Sequence, residues 1–186
     1  MRKDKFLVRV FLTQEYAASI FGKDLVAKAQ KFRFFKKNFR VRTEDLVEMT
    51  ALAKVPLASS KVAGLMTYLP EKLKSKTNIT PKELKEVYSD FRKDYINKFS
   101  EASFLSGEEV AYLLHSGVCS VYITEKFPEA VKLGISQVKR WPIKSVLGWA
   151  ENAVYIPPSK PKKKTSSNTK REGRRGSKKT KSSNTH

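Results

Sequence analysis

The stretch that decides the fold spans residues 104–122 and reads Phe-Leu-Ser-Gly-Glu-Glu-Val-Ala-Tyr-Leu-Leu-His-Ser-Gly-Val-Cys-Ser-Val-Tyr. Its third residue, Ser106, can accept a hydrogen bond from the amide of Glu109, whose carboxylate can reach back to the amide of Ser106. This capping box predicts the start of a helix whose apolar face is made of Val110, Leu113 and Leu114. Gly117 suits a sharp turn, and the apolar residues after it predict a second short helix packed on the first.

The residues that follow predict a small hairpin and a closing helix. Phe127-Pro128 should end the second helix, because proline lacks an amide proton and disfavours helix at the residue before it. Residues 131–133 alternate like a strand, Gly134 allows a turn, and residues 138–141 offer a return strand. Pro142 suits a first helical position, and the apolar stripe after it consists of Ile143, Val146, Leu147 and Ala150.

This order of elements (helix, turn, helix, hairpin, helix) is that of a winged helix-turn-helix. Residues 104–152 resemble the AlpA/excisionase family, a MerR-like group of small DNA-binding regulators. The matching positions are Phe104-Leu105, Glu109-Val110-Ala111, Leu114, Phe127-Pro128, Val131, Leu133-Gly134, Val146 and Trp149. The resemblance implies a winged helix-turn-helix and a regulatory or architectural role in recombination or transcription. Lys139 and Arg140, at the end of the hairpin, would then contact phosphate or the minor groove.

The overall charge points to a polyanionic partner. The chain has 186 residues, with 38 Lys and Arg against 18 Asp and Glu, and a formal net charge of +20. That much positive charge opposes compaction unless a partner supplies counter-charges. Nucleic acid is the commonest such partner, with DNA favoured over RNA by the resemblance, and an anionic membrane surface is second.

Half of the net charge lies in the last residues, where the composition changes abruptly. Residues 157–186 contain no large apolar side chain, so we expect a disordered basic tail that cannot bury enough surface to fold. The tail would bind phosphates by counterion release, or else serve as a solubilising segment or localisation signal. Its cations are Lys160, Lys162, Lys163, Lys164, Lys170, Arg171, Arg174, Arg175, Lys178, Lys179 and Lys181, against the single acid Glu172.

A second basic stretch, residues 28–42, sets phenylalanines among cations and contains no acid. If the rings are exposed, they can stack on unpaired bases while the cations neutralise phosphates, as single-strand binding needs. Alternatively the rings face the core and the cations are solvated, which is the interpretation we favour for the rings. The candidate phosphate contacts are Lys28, Lys31, Arg33, Lys36, Lys37, Arg40 and Arg42, and the rings are Phe32, Phe34, Phe35 and Phe39.

The remaining patterns predict mainly helices with a small β component. Residues 5–12 alternate like a strand, and Thr13 should cap a short helix that ends at Gly22. Thr43 should cap another helix. Thr80-Pro81 opens the most strongly indicated helix, which forms core or pairs with a second copy of the chain. Its apolar stripe consists of Leu84, Val87, Tyr88, Phe91, Tyr95 and Phe99.

These patterns divide the chain into three regions. We expect a basic N-terminal α/β region at residues 1–78, the long helix with the winged module at residues 79–156, and the tail at residues 157–186. The polar residues 72–78 are expected to form a loop. Residues 11–15 echo residues 104–108, which raises a duplicated module as an alternative arrangement.

No catalytic constellation is evident, and we expect no enzyme, cofactor or metal site. The chain has two histidines and one cysteine, and it lacks a glycine-rich phosphate loop after a strand. His115 is expected to be an ordinary helix-end residue. The single cysteine and the lack of an apolar run near ~18 residues predict a soluble, intracellular protein of the cytoplasm, nucleus or nucleoid.

Three functions therefore compete. The first is DNA binding of the excisionase type. The second is an RNA-binding, nucleocapsid or accessory protein of a virus or mobile element, which would prefer single-stranded RNA and form multimers at low salt. The third is a scaffold or membrane-surface adaptor, whose binding to anionic vesicles would survive removal of residues 157–186. A homo-oligomer remains open as a further partner.

Overall fold

The computed structural model describes residues 5–35, 39–97, 103–124, 126–132 and 138–157. Of these residues, about 51% are helical and 17% are strand, which confirms a mainly α fold with a small β component. The chain groups into two units, Met1–Ile156 and Pro157–His186. The boundary expected after residue 78 does not divide the first unit, because Tyr88 beyond it is buried and its hydroxyl donates to the carbonyl oxygen of Arg9 at 2.9 Å.

The first six elements form what we call the first module, residues 11–52. They are β1 (Phe11–Thr13), α1 (Gln14–Phe21), α2 (Lys23–Lys28), β2 (Lys31–Phe32), β3 (Arg40–Arg42) and α3 (Thr43–Leu52). The strands make one antiparallel sheet in the order β1–β3–β2. Thr13 caps α1 as expected, because its hydroxyl oxygen accepts from the amide of Tyr16, and the helix ends at Gly22.

A central segment, residues 53–103, follows the first module. It contains β4 (Leu57–Ala58), α4 (Ser59–Ala63), α5 (Glu71–Lys74), β5 (Asn78–Ile79), α6 (Pro81–Phe91) and a π-helical turn (Arg92–Asn97). β4 and β5 pair antiparallel. The loop expected over residues 72–78 therefore includes the end of α5 and the start of β5. Leu73 and Ile79 are both buried, and these two apolar residues hold the polar stretch between them against the core.

The helix that opens at Thr80 has the expected start and a shorter α-helical part than expected. Thr80 and Glu83 form both hydrogen bonds of a capping box. The α-helix ends at Phe91, the π-helical turn continues it, and Phe99 lies outside the described residues. The stripe is core, as its buried members show: Leu84, Val87, Tyr88 and Phe91.

The last six elements form the second module, residues 104–151, and repeat the order of the first. They are β6 (Phe104–Leu105), α7 (Gly107–Leu113), α8 (Val118–Ile123), β7 (Val131–Lys132), β8 (Lys139–Pro142) and α9 (Ile143–Glu151). Their strands lie in the order β6–β8–β7, again antiparallel. The sequence pattern predicts the same succession of two adjoining helices, a strand pair and a closing helix.

The two modules agree in register as well as in order. The sheet pairs are Phe11 with Arg42 and Leu12 with Val41, and Phe104 with Pro142 and Leu105 with Trp141. The closing helices bury Thr43, Leu46, Val47 and Thr50 in α3, and Ile143, Val146, Leu147 and Ala150 in α9. Each buried residue of α9 lies 100 positions after its counterpart in α3. The echo between residues 11–15 and 104–108 thus marks two occurrences of one arrangement.

The backbone that leads into β1 joins the two modules. The amide of Val10 donates to the carbonyl oxygen of Leu113 in α7 at 3.0 Å, and its carbonyl oxygen accepts from the amide of Thr43 in α3 at 2.9 Å. Because these groups bond to helices of both modules, the strand expected over residues 5–12 is regular only from Phe11 onward. Both modules therefore share one core.

Candidate nucleic-acid interface

A buried ion pair fixes the start of α7. Ser106 Oγ accepts from the amide of Glu109 at 3.2 Å, and Glu109 Oε2 accepts from the amide of Ser106 at 2.8 Å, so the expected capping box is present. Lys5 Nζ lies 3.5 Å from the same Oε2 and donates to the carbonyl oxygen of Phe104 at 3.0 Å. Both charged side chains are buried. The helix pair of the second module is thereby anchored to the N-terminal segment.

Several of the residues that carry the excisionase resemblance lie inside the second module. The rings of Phe127 and Trp149 are 4.7 Å apart and nearly perpendicular, and both Leu114 and Val146 are buried. Trp141 Nε1, from the return strand, donates to the carbonyl oxygen of Pro128 at 3.1 Å. These contacts help to pack the second module together. The residues that resemble excisionases are therefore mainly packing residues, and they say little about the surface of the module.

The exposed face of the second module is formed by α8 and the strand pair. Val118 and Tyr122 of α8 are 40% and 53% exposed, and α8 contains no charged residue. Lys139 is exposed and Arg140 is partly exposed on β8. Neither forms an ion pair with a residue that the structure describes. The cations of this face that can meet a phosphate are therefore on the strands and not on the helix.

Two phenylalanines of the first basic stretch, Phe32 and Phe34, are buried core residues. Phe32 and Phe34 both pack edge-on against Phe11, at 5.1 and 5.2 Å between ring centroids. Phe34 also contacts Trp149 of the second module at 5.4 Å. This confirms the interpretation of these two rings as core, and it removes them as stacking platforms for bases.

The neighbouring cations remain at the surface, at the end of α2 and at β2. Lys28 and Arg33 are exposed and Lys31 is partly exposed. The amide of Arg33 donates to the carbonyl oxygen of Ala153, and the amide of Tyr155 donates to the carbonyl oxygen of Lys31, both at 2.8 Å. Residues 153–155 thus extend the first sheet beyond β2, and they hold the backbone of Lys31 and Arg33 in place.

Arg40 requires a correction, because the structure buries it. Its side chain is 4% exposed, and burial lowers the pKa of its guanidinium. Arg40 Nε donates to the carbonyl oxygen of Leu114 at 3.2 Å, and its Nη2 donates to that of His115 at 2.9 Å. These carbonyls lie at the C-terminal end of α7, where a cation satisfies orphan acceptors and opposes the helix dipole. Arg40 is a helix cap between the modules and is removed from the candidate phosphate contacts.

Arg42 requires the same correction for a different reason. Its Nε and Nη2 donate to Asp45 Oδ1 at 2.9 and 2.7 Å, and its Nη1 lies 4.0 Å from Glu151 Oε1. The hydrogen bond to Asp45 raises the pKa of Arg42. Arg92 completes the cluster, with bonds to both carboxylate oxygens of Glu44 at 2.6 and 2.8 Å and to Glu151 at 3.4 Å. The charge of Arg42 is therefore matched by carboxylates that join α3 to α9.

His115 lies at a helix end as expected, and it also joins the two modules. It follows α7 with a φ of 47°, a conformation that side chains with a Cβ rarely adopt. Its Nδ1 accepts from the amide of Thr13 at 3.3 Å, and its ring packs edge-on against Tyr16 at 4.6 Å. Burial, followed by the charges of Arg9 and Arg40, lowers the pKa of His115 to about 4. The imidazole is therefore neutral at pH 7.

Comparison of the chain with family models, curated protein sequences and solved structures found no match. The resemblance of residues 104–152 to excisionases thus rests on the residues quoted above. Among the described residues, no helix combines the length and the apolar character needed to cross a membrane.

The other expected contacts fall outside the part of the chain that the structure describes. These are Lys36 and Lys37 of the first basic stretch and, in the tail, Lys162, Lys163, Lys164, Lys170, Arg171, Arg174, Arg175, Lys178, Lys179 and Lys181. They stay predictions. Within the described residues, the surviving candidates are Lys28, Lys31, Arg33, Lys139 and Arg140.

Proposed function

We propose that this protein binds double-stranded DNA, with the second module acting as a winged helix-turn-helix and the basic tail adding electrostatic affinity. The observation that carries the proposal is the arrangement of α7, α8, the β7–β8 pair and α9 around the residues that resemble excisionases. Lys139 and Arg140 lie on the strand pair without an acidic partner among the described residues. A cation there can contact a phosphate while the helix pair positions the strands on the duplex.

The charge of the chain supports a polyanionic ligand. A net charge of +20, half of it in residues 157–186, favours binding by counterion release. Such binding is sequence-independent and weakens steeply as salt rises. Any sequence preference must then come from the folded unit, where α8 presents Val118 and Tyr122 to an edge of the bases.

The burial of Phe32 and Phe34 favours duplex over single strands. Proteins that bind unpaired nucleic acid use exposed rings on which bases stack. Two of the four rings in the first basic stretch are in the core and are not accessible to a base. An RNA-binding or nucleocapsid role therefore has less support, and the proposal follows the resemblance in assigning a regulatory or architectural role on DNA.

A salt titration of binding tests this function. Duplex DNA, single-stranded DNA and single-stranded RNA of equal length would each be titrated with the full chain and with a chain ending at Pro157. We expect duplex to bind best, and a duplex enriched from a random pool to outcompete random duplex at raised salt. Loss of the tail should lower affinity for every ligand and flatten the salt dependence. If random duplex competed as well as the enriched duplex at every salt concentration, sequence-specific DNA binding would be contradicted. Preference for RNA would favour the RNA-binding alternative.

A double variant, Lys139→Ala with Arg140→Ala, tests the assigned strands. Its matched control is Lys61→Ala with Lys82→Ala, which removes two exposed lysines that form no ion pair with a described residue. Both doubles change the net charge by the same amount. The first should weaken duplex binding by roughly tenfold at 0.1 M salt, if two phosphate contacts are lost, and the control should weaken it much less. Equal losses would show that only net charge matters.

A further inference from the structure

We infer that the first module carries a duplex-binding surface of its own, formed by Lys23 and Lys28 on α2 and by Lys31 and Arg33 at β2. This inference rests on the proposed function, since it assigns a second contact surface for the same ligand. The excisionase resemblance covers residues 104–152 only and does not include these side chains.

The repeat makes α2 the counterpart of α8. Each is a six-residue helix that follows the first helix of its module and precedes the strand pair. Val26 of α2 and Val121 of α8 are both buried and anchor their helices to the module. From this correspondence we expect α2 to face a duplex groove as α8 does.

The two corresponding helices differ in charge. The sequence of α2 is Lys-Asp-Leu-Val-Ala-Lys, with Lys23, Asp24, Ala27 and Lys28 exposed. That of α8 is Val-Cys-Ser-Val-Tyr-Ile and has no charge. Phosphate contacts fix a protein on DNA, and lysine is a suitable donor for them. Of the two helices, α2 is the one equipped to make such contacts.

The first module as a whole is also more basic than the second. Residues 11–52 contain eight Lys and Arg against five Asp and Glu, whereas residues 104–151 contain five of each. Arg40 and Arg42 are engaged inside the unit, and two of the five acids of the first module, Glu44 and Asp45, lie in the ion-pair cluster at α3. The other cations of the first module that the structure describes are Lys23, Lys28, Lys31 and Arg33, and all four lie on α2 or at β2.

The three lysines of this surface are available for a ligand. Lys23, Lys28 and Lys31 form no ion pair with any residue that the structure describes. Arg33 is exposed, and its guanidinium carbon lies 5.7 Å from the centre of the Phe39 ring. Because residues 153–155 hold β2, the backbone positions of Lys31 and Arg33 are already set before a ligand arrives, which lowers the ordering cost of binding.

Charge substitutions in α2 test the inference in both directions. In the full chain, Lys23→Ala with Lys28→Ala should weaken duplex binding by roughly tenfold at 0.1 M salt and reduce the slope of log affinity against log salt by about 2. The control is again Lys61→Ala with Lys82→Ala. Asp24→Asn removes the one acid of α2 and should strengthen binding by a few-fold. Thermal unfolding of each variant would establish that the fold is kept.

The outcomes separate this inference from the proposed function. If the Lys23/Lys28 double and the control double lose the same affinity, and Asp24→Asn gains none, the first module is not a contact surface. The proposed function would still stand in that case, provided the Lys139/Arg140 double loses more than the control. If the wild-type chain shows no salt-dependent duplex binding, the proposed function fails first. A loss confined to the Lys23/Lys28 double would assign the main contact to the first module.

Discussion

Gly22 directly after α1 and His115 one residue further after α7 both have a positive φ, of 90° and 47°. Glycine tolerates this conformation, whereas a residue with a Cβ is strained there by about 1–2 kcal/mol. At His115 the hydrogen bond from Thr13 and the contact with Tyr16 offset the strain. The chain thus adopts a positive φ near the end of the first helix of each module, once with a permissive residue and once with a residue held by its neighbours.

Gly22→Ala should lower the free energy of unfolding by about 1–2 kcal/mol. A Cβ at this position would meet no atom within 4 Å, so the cost would come from the backbone alone. Gly148→Ala is the control, because it is also unobstructed but lies inside α9, where alanine should add about 0.5–1 kcal/mol. Urea denaturation of both variants measures the two shifts. Shifts of the same sign would contradict the assignment of strain to the turn after α1.

Acidification should destabilise the protein through His115. The unfolded chain titrates this residue near its ordinary pKa of about 6.5, whereas in the folded protein burial lowers the pKa to about 4. Between these values the unfolded state binds more protons, so the free energy of unfolding falls as the pH is lowered from 6.5 to 4. The contribution of neutral His115 to the free energy of unfolding is fully present above pH 6.5. It should amount to about 1–2 kcal/mol, because the side chain is only partly buried.

The variant for this test is His115→Asn, since asparagine tolerates a positive φ and does not titrate. Unfolding free energies at pH 7.5, 5.5 and 4.5 would be compared with those of the wild-type chain, so that carboxylates common to both cancel. The difference between the two proteins should shrink as the pH falls. A difference that stays constant with pH would mean that His115 titrates alike in the folded and unfolded states.

Arg40 and Arg140 occupy corresponding strand positions, and their substitution should have opposite consequences. Arg40→Ala would leave the carbonyls of Leu114 and His115, the first buried and the second partly buried, without this donor and should cost about 2–4 kcal/mol of stability. Arg40→Lys should recover only part of this stability, because an ammonium cannot span both carbonyl oxygens as a guanidinium does. Arg140→Ala should change stability by less than about 0.5 kcal/mol and weaken duplex binding. Similar losses of stability for Arg40→Ala and Arg140→Ala would contradict the assignment of Arg40 as a buried cap and Arg140 as a surface contact.

Lys5 and Glu109 should show strong energetic coupling. Either Lys5→Met or Glu109→Gln leaves the other charge buried without its partner and should cost about 3 kcal/mol. The double variant removes both charges, so its cost should be at least about 1 kcal/mol less than the sum of the single costs. A double-mutant cycle by urea denaturation measures this coupling. Strict additivity would show that the pair contributes no interaction of its own.

Local signals in the sequence predict the parts of the fold whose cause is local. The capping boxes at Thr80 and Ser106 and the stripe of α9 are determined by residues within one or two helical turns. Thr43 shows the limit of such signals: it begins α3, yet its hydroxyl donates to Arg9 and does not cap the helix. Its partner is 34 residues away, and no short-range pattern reveals that distance.

The candidate site was harder to predict for the same reason. In the sequence, Arg40 and Arg33 are equivalent members of one basic run, and only the carbonyls at the end of α7 single out Arg40 for burial. Beyond the echo of residues 11–15 in residues 104–108, the repeat is equally hidden, because the closing helices share the positions of their buried residues and few of their identities. A search that compares the spacing of buried positions, rather than residue identities, would find that α3 and α9 correspond.

The pairing of residues 153–155 with β2 bears on the synthesis of the protein. Lys31 and Arg33 acquire their backbone partners only when the residues that follow α9 have been translated. In a nascent chain that has left the ribosome only as far as the central segment, the outer edge of β2 therefore has no partner, and such an intermediate exposes a strand edge that can pair with other polypeptides. Chaperone engagement and cleavage by added protease should concentrate on that intermediate, and both should cease once Tyr155 has emerged.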